Sequence, residues 1–173
     1  AETLGNTTVI LTDKTGTLTQ AKMAVTTVET RSGQIQDRQK TLTIALATIE
    51  AFVNNTEETY PPAVVGRPIE KAILLYALDQ GLDPNILLNP AHRLDFLPFN
   101  SSQRLAVALQ AAGHDGNNTL CLLGAPELLL KHSTHYLMAG HAKTMSSADR
   151  HFFQSIYEAS AARGSRLVAV AYR

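Results

Sequence analysis

His92-Arg93-Leu94-Asp95-Phe96-Leu97, the joint Pro98-Phe99-Asn100-Ser101-Ser102 and, after Gln103, Arg104-Leu105-Ala106-Val107-Ala108-Leu109-Gln110 form the stretch that decides the fold. Two runs rich in apolar residues flank a short polar joint containing proline, which predicts a pair of antiparallel strands. A polar turn over Gly113 to Asn118 leads to a third strand, Thr119 to Leu123, and Leu167 to Ala171 reads as a last one. Links this short favour antiparallel neighbours.

Outward from this centre the periodicity changes to helical. Leu42, Ala45, Leu46, Ile49, Phe52 and Val53 recur at helical spacing between Asp37 and about Asn54. Pro68 suits the first turn of a helix running to Gly81, and Pro126 that of a short helix reaching His132. Ser146-Ser147-Ala148-Asp149 has the form of a capping box for a helix ending at Gly164, with Phe152, Phe153, Ile156, Tyr157 and Ala161 expected to face inward. Nearer the start, Thr8-Val9-Ile10-Leu11-Thr12 reads as a buried strand. Met23 to Thr30 reads as another, turning at Arg31-Ser32-Gly33-Gln34 into a hairpin. The expected class is α+β, an antiparallel sheet flanked by helices.

Composition narrows the function. Fifteen Lys plus Arg balance fifteen Asp plus Glu across 173 residues, so no broad basic surface attracts nucleic acid or acidic lipid. Hydrophobic residues make up 45%, yet no apolar run approaches the ~18 to 20 residues of a membrane span. The single cysteine, Cys121 in Leu120-Cys121-Leu122-Leu123, excludes an internal disulfide or a cysteine-cluster zinc site, reads as a small buried hydrophobe and suits a reducing compartment. His132, His135 and His141 lack acidic or Cys partners at ligand spacing and read as a solvated loop. With neither initiator Met nor signal sequence, the chain is expected to be a piece of a longer protein.

Chemistry concentrates at Asp13-Lys14-Thr15-Gly16-Thr17-Leu18-Thr19. A carboxylate at the end of a strand, followed by a cation, hydroxyls and a glycine, has the parts of a phosphoryl acceptor. Any single Asp-Lys-Thr-Gly would more often be an ordinary turn. All seven positions, however, resemble the phosphorylation signature of P-type ATPases, whose Asp becomes an aspartyl-phosphate.

The resemblance implies that Asp13, Lys14 and Thr15 are catalytic, with Asp13 and Thr15 at a Mg²⁺ ion whose other ligands lie elsewhere in the parent. It extends over most of the chain through four short motifs. Gly66-Arg67-Pro68-Ile69-Glu70-Lys71-Ala72 is similar to a segment whose Glu reaches the adenine amino group, with Arg67 where Asp is usual. Leu97-Pro98-Phe99-Asn100-Ser101-Ser102-Gln103-Arg104 is similar to one whose Phe stacks on adenine and whose basic residue reaches the nucleotide. Leu123-Gly124-Ala125-Pro126-Glu127 is similar to Lys-Gly-Ala-Pro-Glu, with the pocket lysine replaced by Leu123 and Gly124 kept. Gly164-Ser165-Arg166 begins a segment whose Arg contacts the phosphates.

By this resemblance, residues 1–21 are a phosphorylation-domain fragment and hinge, disordered or displaced, and residues 22–173 are the nucleotide-binding domain, short of its last strand. Glu70, Phe99, Arg104, Leu123, Gly124 and Arg166 would bind ATP or ADP, and the isolated piece would be a monomer without turnover. The parent would be a cation pump of the calcium-transporting style, this piece being a cytoplasmic domain of an integral membrane protein that works with the remaining phosphorylation, actuator and transmembrane domains. Two alternatives stay open. One is a phosphatase fragment of the haloacid-dehalogenase class, against which Thr15 stands where those enzymes carry a second Asp. The other is a non-catalytic module with a degenerate pocket, for which Leu123 is the motive.

Overall fold

The computed structural model describes residues 22–54, 63–82, 92–112 and 116–173. Helix α1 (Ile35–Ala47) precedes the short strands β1 (Phe52–Val53) and β2 (Val64–Val65), helix α2 (Pro68–Asp79) and strands β3 (Arg93–Asn100), β4 (Leu105–Gln110) and β5 (Thr119–Gly124). Helix α3 (Pro126–His132), the hairpin β6 (His135–Met138) and β7 (His141–Thr144), helix α4 (Ser147–Ala162) and strand β8 (Ala169–Tyr172) follow. The main sheet has the order β3-β4-β5-β8 and is antiparallel throughout, so the class is α+β.

Strand β3 runs further than its sequence suggests. Leu97 pairs with Val107 and Asn100 with Leu105, three steps on β3 against two on β4, so one extra residue is accommodated around Pro98 and Phe99. This is a β-bulge. Pro98 has no N–H to give, but β3 is the outermost of the described strands, where a missing donor is tolerated. The strand therefore carries Phe99 to its end, and the turn is left to residues 101–104.

One face of the sheet is built for helices. Ala108 and Cys121 lie opposite each other, as do Ala106 and Leu123, and all four are buried. Ile44 and Ala47 of α1 cover the first pair, while Leu123 joins Leu46 of α1, Ile49 just beyond it, and Ile73 and Leu74 of α2. Burial pushes the Cys121 thiol's pKa up.

Several elements differ from expectation. The first helix stops at Ala47, because both the N–H and the hydroxyl of Thr48 turn back to the Ala45 carbonyl. Phe52 and Val53 then pair with Val65 and Val64 instead of extending the helix. Residues 22–30 form no strand, and Ile35 opens α1. The preceding chain is drawn to α4: the Arg31 guanidinium lies 3.1 Å from the Asp149 carboxylate and 4.3 Å from the centre of the Phe152 ring. On α4, Phe152, Phe153 and Ile156 are half-buried, but Tyr157 and Ala161 are exposed, and Asp149 and Ser160 are its buried residues. The strand expected at Thr8–Thr12 and the domain fragment assigned to 1–21 lie outside the described residues.

The β6–β7 hairpin was not foreseen from the sequence. Ala139 and Gly140, both with positive φ, make its two-residue turn, and their N–H groups donate to the Asp37 carboxylate at 2.9 and 2.8 Å. Ser32 Oγ donates to the same carboxylate, which is fully buried. The N-terminal end of α1 thus holds a turn more than a hundred residues away.

Candidate functional site

Register decides which residues share an end of the sheet. Asn100 pairs with Leu105, Leu105 with Gly124 and Gly124 with Ala169, a row across all four strands. Phe99, Arg104, Gly124 and, three residues before Ala169, Arg166 therefore all lie at this end.

The turn between β3 and β4 is tightly held. Asn100 Oδ1 accepts the N–H groups of Ser102 and Gln103, and the Asn100 carbonyl accepts that of Arg104 at 2.6 Å. Arg104 sits at φ +57°, a left-handed conformation that costs a residue with a side chain about 1 kcal/mol or more. Its carbonyl in turn accepts the Ala125 N–H at 3.0 Å, and its guanidinium reaches Glu127 at 2.5 Å. A Cβ at position 124 would stand 2.6 Å from the Arg104 oxygen and 2.8 Å from Leu105 Cβ. Glycine is what lets these two turns meet.

Helix α2 brings a second group of residues. Pro68 occupies its first turn, and Glu70, buried, accepts the Arg67 N–H at 3.3 Å. This is half of a capping box, since an arginine side chain has no acceptor to complete the other half. Gly66, at φ +150°, passes so close to Ala51 that a Cβ would lie 2.6 Å from that residue's own. The Arg67 guanidinium donates to the Phe99 carbonyl at 3.3 Å and to Glu50 Oε2 at 2.6 Å, and its Nε lies 3.8 Å from Glu70 Oε1.

Of the residues singled out in the sequence, Phe99 and Glu70 are thus linked through Arg67, and Arg104 and Gly124 touch directly. Arg166 is exposed in the segment leading to β8. The Phe99 ring stands 44% exposed at the rim of the sheet. Leu123 is only 6% exposed within the apolar cluster of α1 and α2 and has no polar group to offer. Asp13, Lys14 and Thr15 lie outside the described residues. Arg67 as a junction, and Glu50 as its partner, were missed; the signal available was Arg67 itself, a cation where the motif expects a carboxylate. This end of the sheet presents a flat aromatic face, a buried carboxylate and several guanidinium groups, chemistry suited to a planar ligand with an anionic tail.

Among the described residues no group of His, Cys, Asp and Glu is arranged to hold a metal ion, and no helix is long and apolar enough to cross a membrane. His135 contacts its neighbours Thr134 and Thr144 through its two ring nitrogens.

Residues 38–173 match the family described as P-type ATPase, cytoplasmic domain N. Calcium-transporting ATPase 1 of Lactococcus lactis is 29% identical over 175 residues, an alignment covering 99% of this chain and 20% of that protein. The plasma membrane-type calcium-transporting ATPase 10 of Arabidopsis thaliana is 33% identical over 186 residues, with 99% and 17% covered. The sodium/potassium-transporting ATPase subunit alpha-1 of Anguilla anguilla is 28% identical over 189 residues, with 96% and 18% covered. The chain spans about a fifth of the length of these relatives. The match over most of the chain, together with the antiparallel α+β fold, establishes that it belongs to the P-type ATPase family, as the cytoplasmic domain N.

Proposed function

We propose that this domain binds ATP at the sheet end built by Phe99, Arg104 and Gly124, with Glu70 at the base and Arg166 toward the phosphates. The observation that carries the reading is the link from Glu70 through Arg67 to Phe99, which joins two sequence-distant adenine motifs. The ring of Phe99 stacks on adenine, worth ~1 to 3 kcal/mol by truncation. The carboxylate of Glu70 accepts from the exocyclic amine, and the planar forks of Arg104 and Arg166 donate to phosphate oxygens. Arg104 leaves Glu127 to do so, a small loss because exposed ion pairs are weak.

In the parent, domain closure brings the γ-phosphate to Asp13. A carboxylate oxygen of Asp13 forms a bond to the γ-phosphorus while the bond to the β–γ bridging oxygen breaks, and ADP leaves. Lys14 offsets charge at the transferring group. Mg²⁺, held by Asp13, Thr15 and groups elsewhere in the parent, would neutralise charge on the phosphate oxygens. Thr15 is a poor proton carrier, so the phosphoenzyme outlives that of a phosphatase, which suits coupling to cation transport. The domain itself acts as a cytoplasmic nucleotide holder and works as a monomer.

An NMR titration of the 173-residue chain with ATP tests this. A saturable shift with Kd between micromolar and millimolar, equivalent to about 4 to 8 kcal/mol, is expected. Phe99→Ala should weaken it about 5- to 150-fold, the equivalent of the stacking energy. No saturable shift, or one indifferent to Phe99→Ala, overturns the reading. Burial of Leu123, which leaves its position without a polar contact, favours as second reading a module that has lost the nucleotide. The same titration separates the two.

A further inference from the structure

We propose that Arg67 is the positioning residue of this site, holding the β3 bulge so that the Phe99 ring meets the base in one orientation relative to Glu70. The inference rests on the nucleotide reading above. At the bulge, neither Pro98 nor Phe99 has a paired residue on β4, and the ring is too exposed for packing to fix it. The Phe99 carbonyl is instead taken by Arg67 Nη1 at 3.3 Å.

The remaining guanidinium nitrogens face Glu50 at 2.6 Å and Glu70 at 3.8 Å, and the Arg67 backbone N–H reaches the other Glu70 oxygen at 3.3 Å. One rigid fork thus ties β3 to the chain before β1 and to the first turn of α2. Gly66, pressed against Ala51, fixes the point from which the side chain departs. A lysine would keep the charge but present a single point of contact in place of a planar fork. Holding the ring in its bound orientation removes an ordering cost that the ligand would otherwise bear.

Four forms of the 173-residue chain decide the matter: wild type, Arg67→Lys, Phe99→Ala and the double variant, each titrated with ATP and, separately, with inorganic tripolyphosphate. Arg67→Lys should weaken ATP roughly tenfold, the scale of a charge-assisted hydrogen bond, while tripolyphosphate, which has no base to stack, binds as to wild type. The double variant should bind ATP no more weakly than Phe99→Ala alone, since Arg67 acts through the ring. Without nucleotide, Arg67→Lys should shift the Asn100 amide resonance, which shares a peptide group with the Phe99 carbonyl. Melting should change little, because the pair with Glu50 is exposed and the buried Glu70 keeps the backbone N–H of residue 67. Wild-type ATP affinity in Arg67→Lys, losses that multiply in the double variant, or an unmoved Asn100 amide would overturn the proposal. A wild-type chain that fails to bind ATP would instead sink the nucleotide reading on which it rests.

Discussion

Gly124 and Asp37 are where single atoms carry the most structural consequence. Gly124→Ala places a methyl 2.6 Å from a backbone oxygen that cannot retreat, because that oxygen already accepts the Ala125 N–H. A loss of about 1 to 3 kcal/mol in a denaturant melt is expected, with resonance shifts centred on Arg104 and Leu105. Asp37 is a buried carboxylate whose pKa burial raises, but the Ser32 hydroxyl and the N–H groups of Gly140 and Ala139 lower it by more, so it lies below its ordinary value. A pKa depressed by folding adds stability above the ordinary value near 3.9 and forfeits it as the pH falls through the folded value. Acid titration followed by circular dichroism should show stability falling below about pH 4 in the wild type. In Asp37→Asn the curve should be lower at neutral pH and flatter in acid.

Helix α4 illustrates how far an element's ends can be read from its letters. Ser146 accepts the Asp149 N–H at 3.2 Å and Asp149 accepts the Ser146 N–H at 3.1 Å, a reciprocal cap that the sequence announces. Ser146→Ala should cost about 1 kcal/mol by denaturant melt. Pro68, Pro126 and Gly81 delimit α2 and α3 as legibly, since each acts through its own backbone. What the letters hide depends on distant partners. Residues 22–30 have strand composition but take no strand: Val25 packs against the cluster between α1 and α2, and Arg31, just beyond, finds Asp149 and Phe152 on α4. The Ala139-Gly140 turn lacks the Asn-Gly or Asp-Gly of a strong hairpin signal, and its N–H groups are met by Asp37 from far along the chain. The site was legible to the same degree. Glu70 and Phe99 sit in recognisable motifs, whereas the junction at Arg67 exists only because a bulge turns the Phe99 carbonyl out of the ladder.

At the scale of the molecule, strand order explains why the site end is an assembly. Helix α3, the β6–β7 hairpin and α4 all intervene between β5 and β8, so Gly124 and the approach to β8 become neighbours only when the sheet closes. A ligand bound across that end recognises the folded sheet and not its parts. If ATP binds there, a concentration near 100 Kd should add about 2.7 kcal/mol to stability. For a domain of this length that raises Tm by roughly 5 to 10 °C. Scanning calorimetry with and without ATP checks this, and an unchanged transition would count against nucleotide binding.

The bend at Pro98 also governs what a second polypeptide can do to the outer rim. Fibril growth and strand swapping need an unbroken row of donors and acceptors to copy, and here the outermost described strand lacks the Pro98 donor and shifts register near both ends, between Arg93 and Asp95 and between Leu97 and Asn100. The domain can therefore keep Leu94, Leu97 and Phe99 in water without offering a template for aggregation.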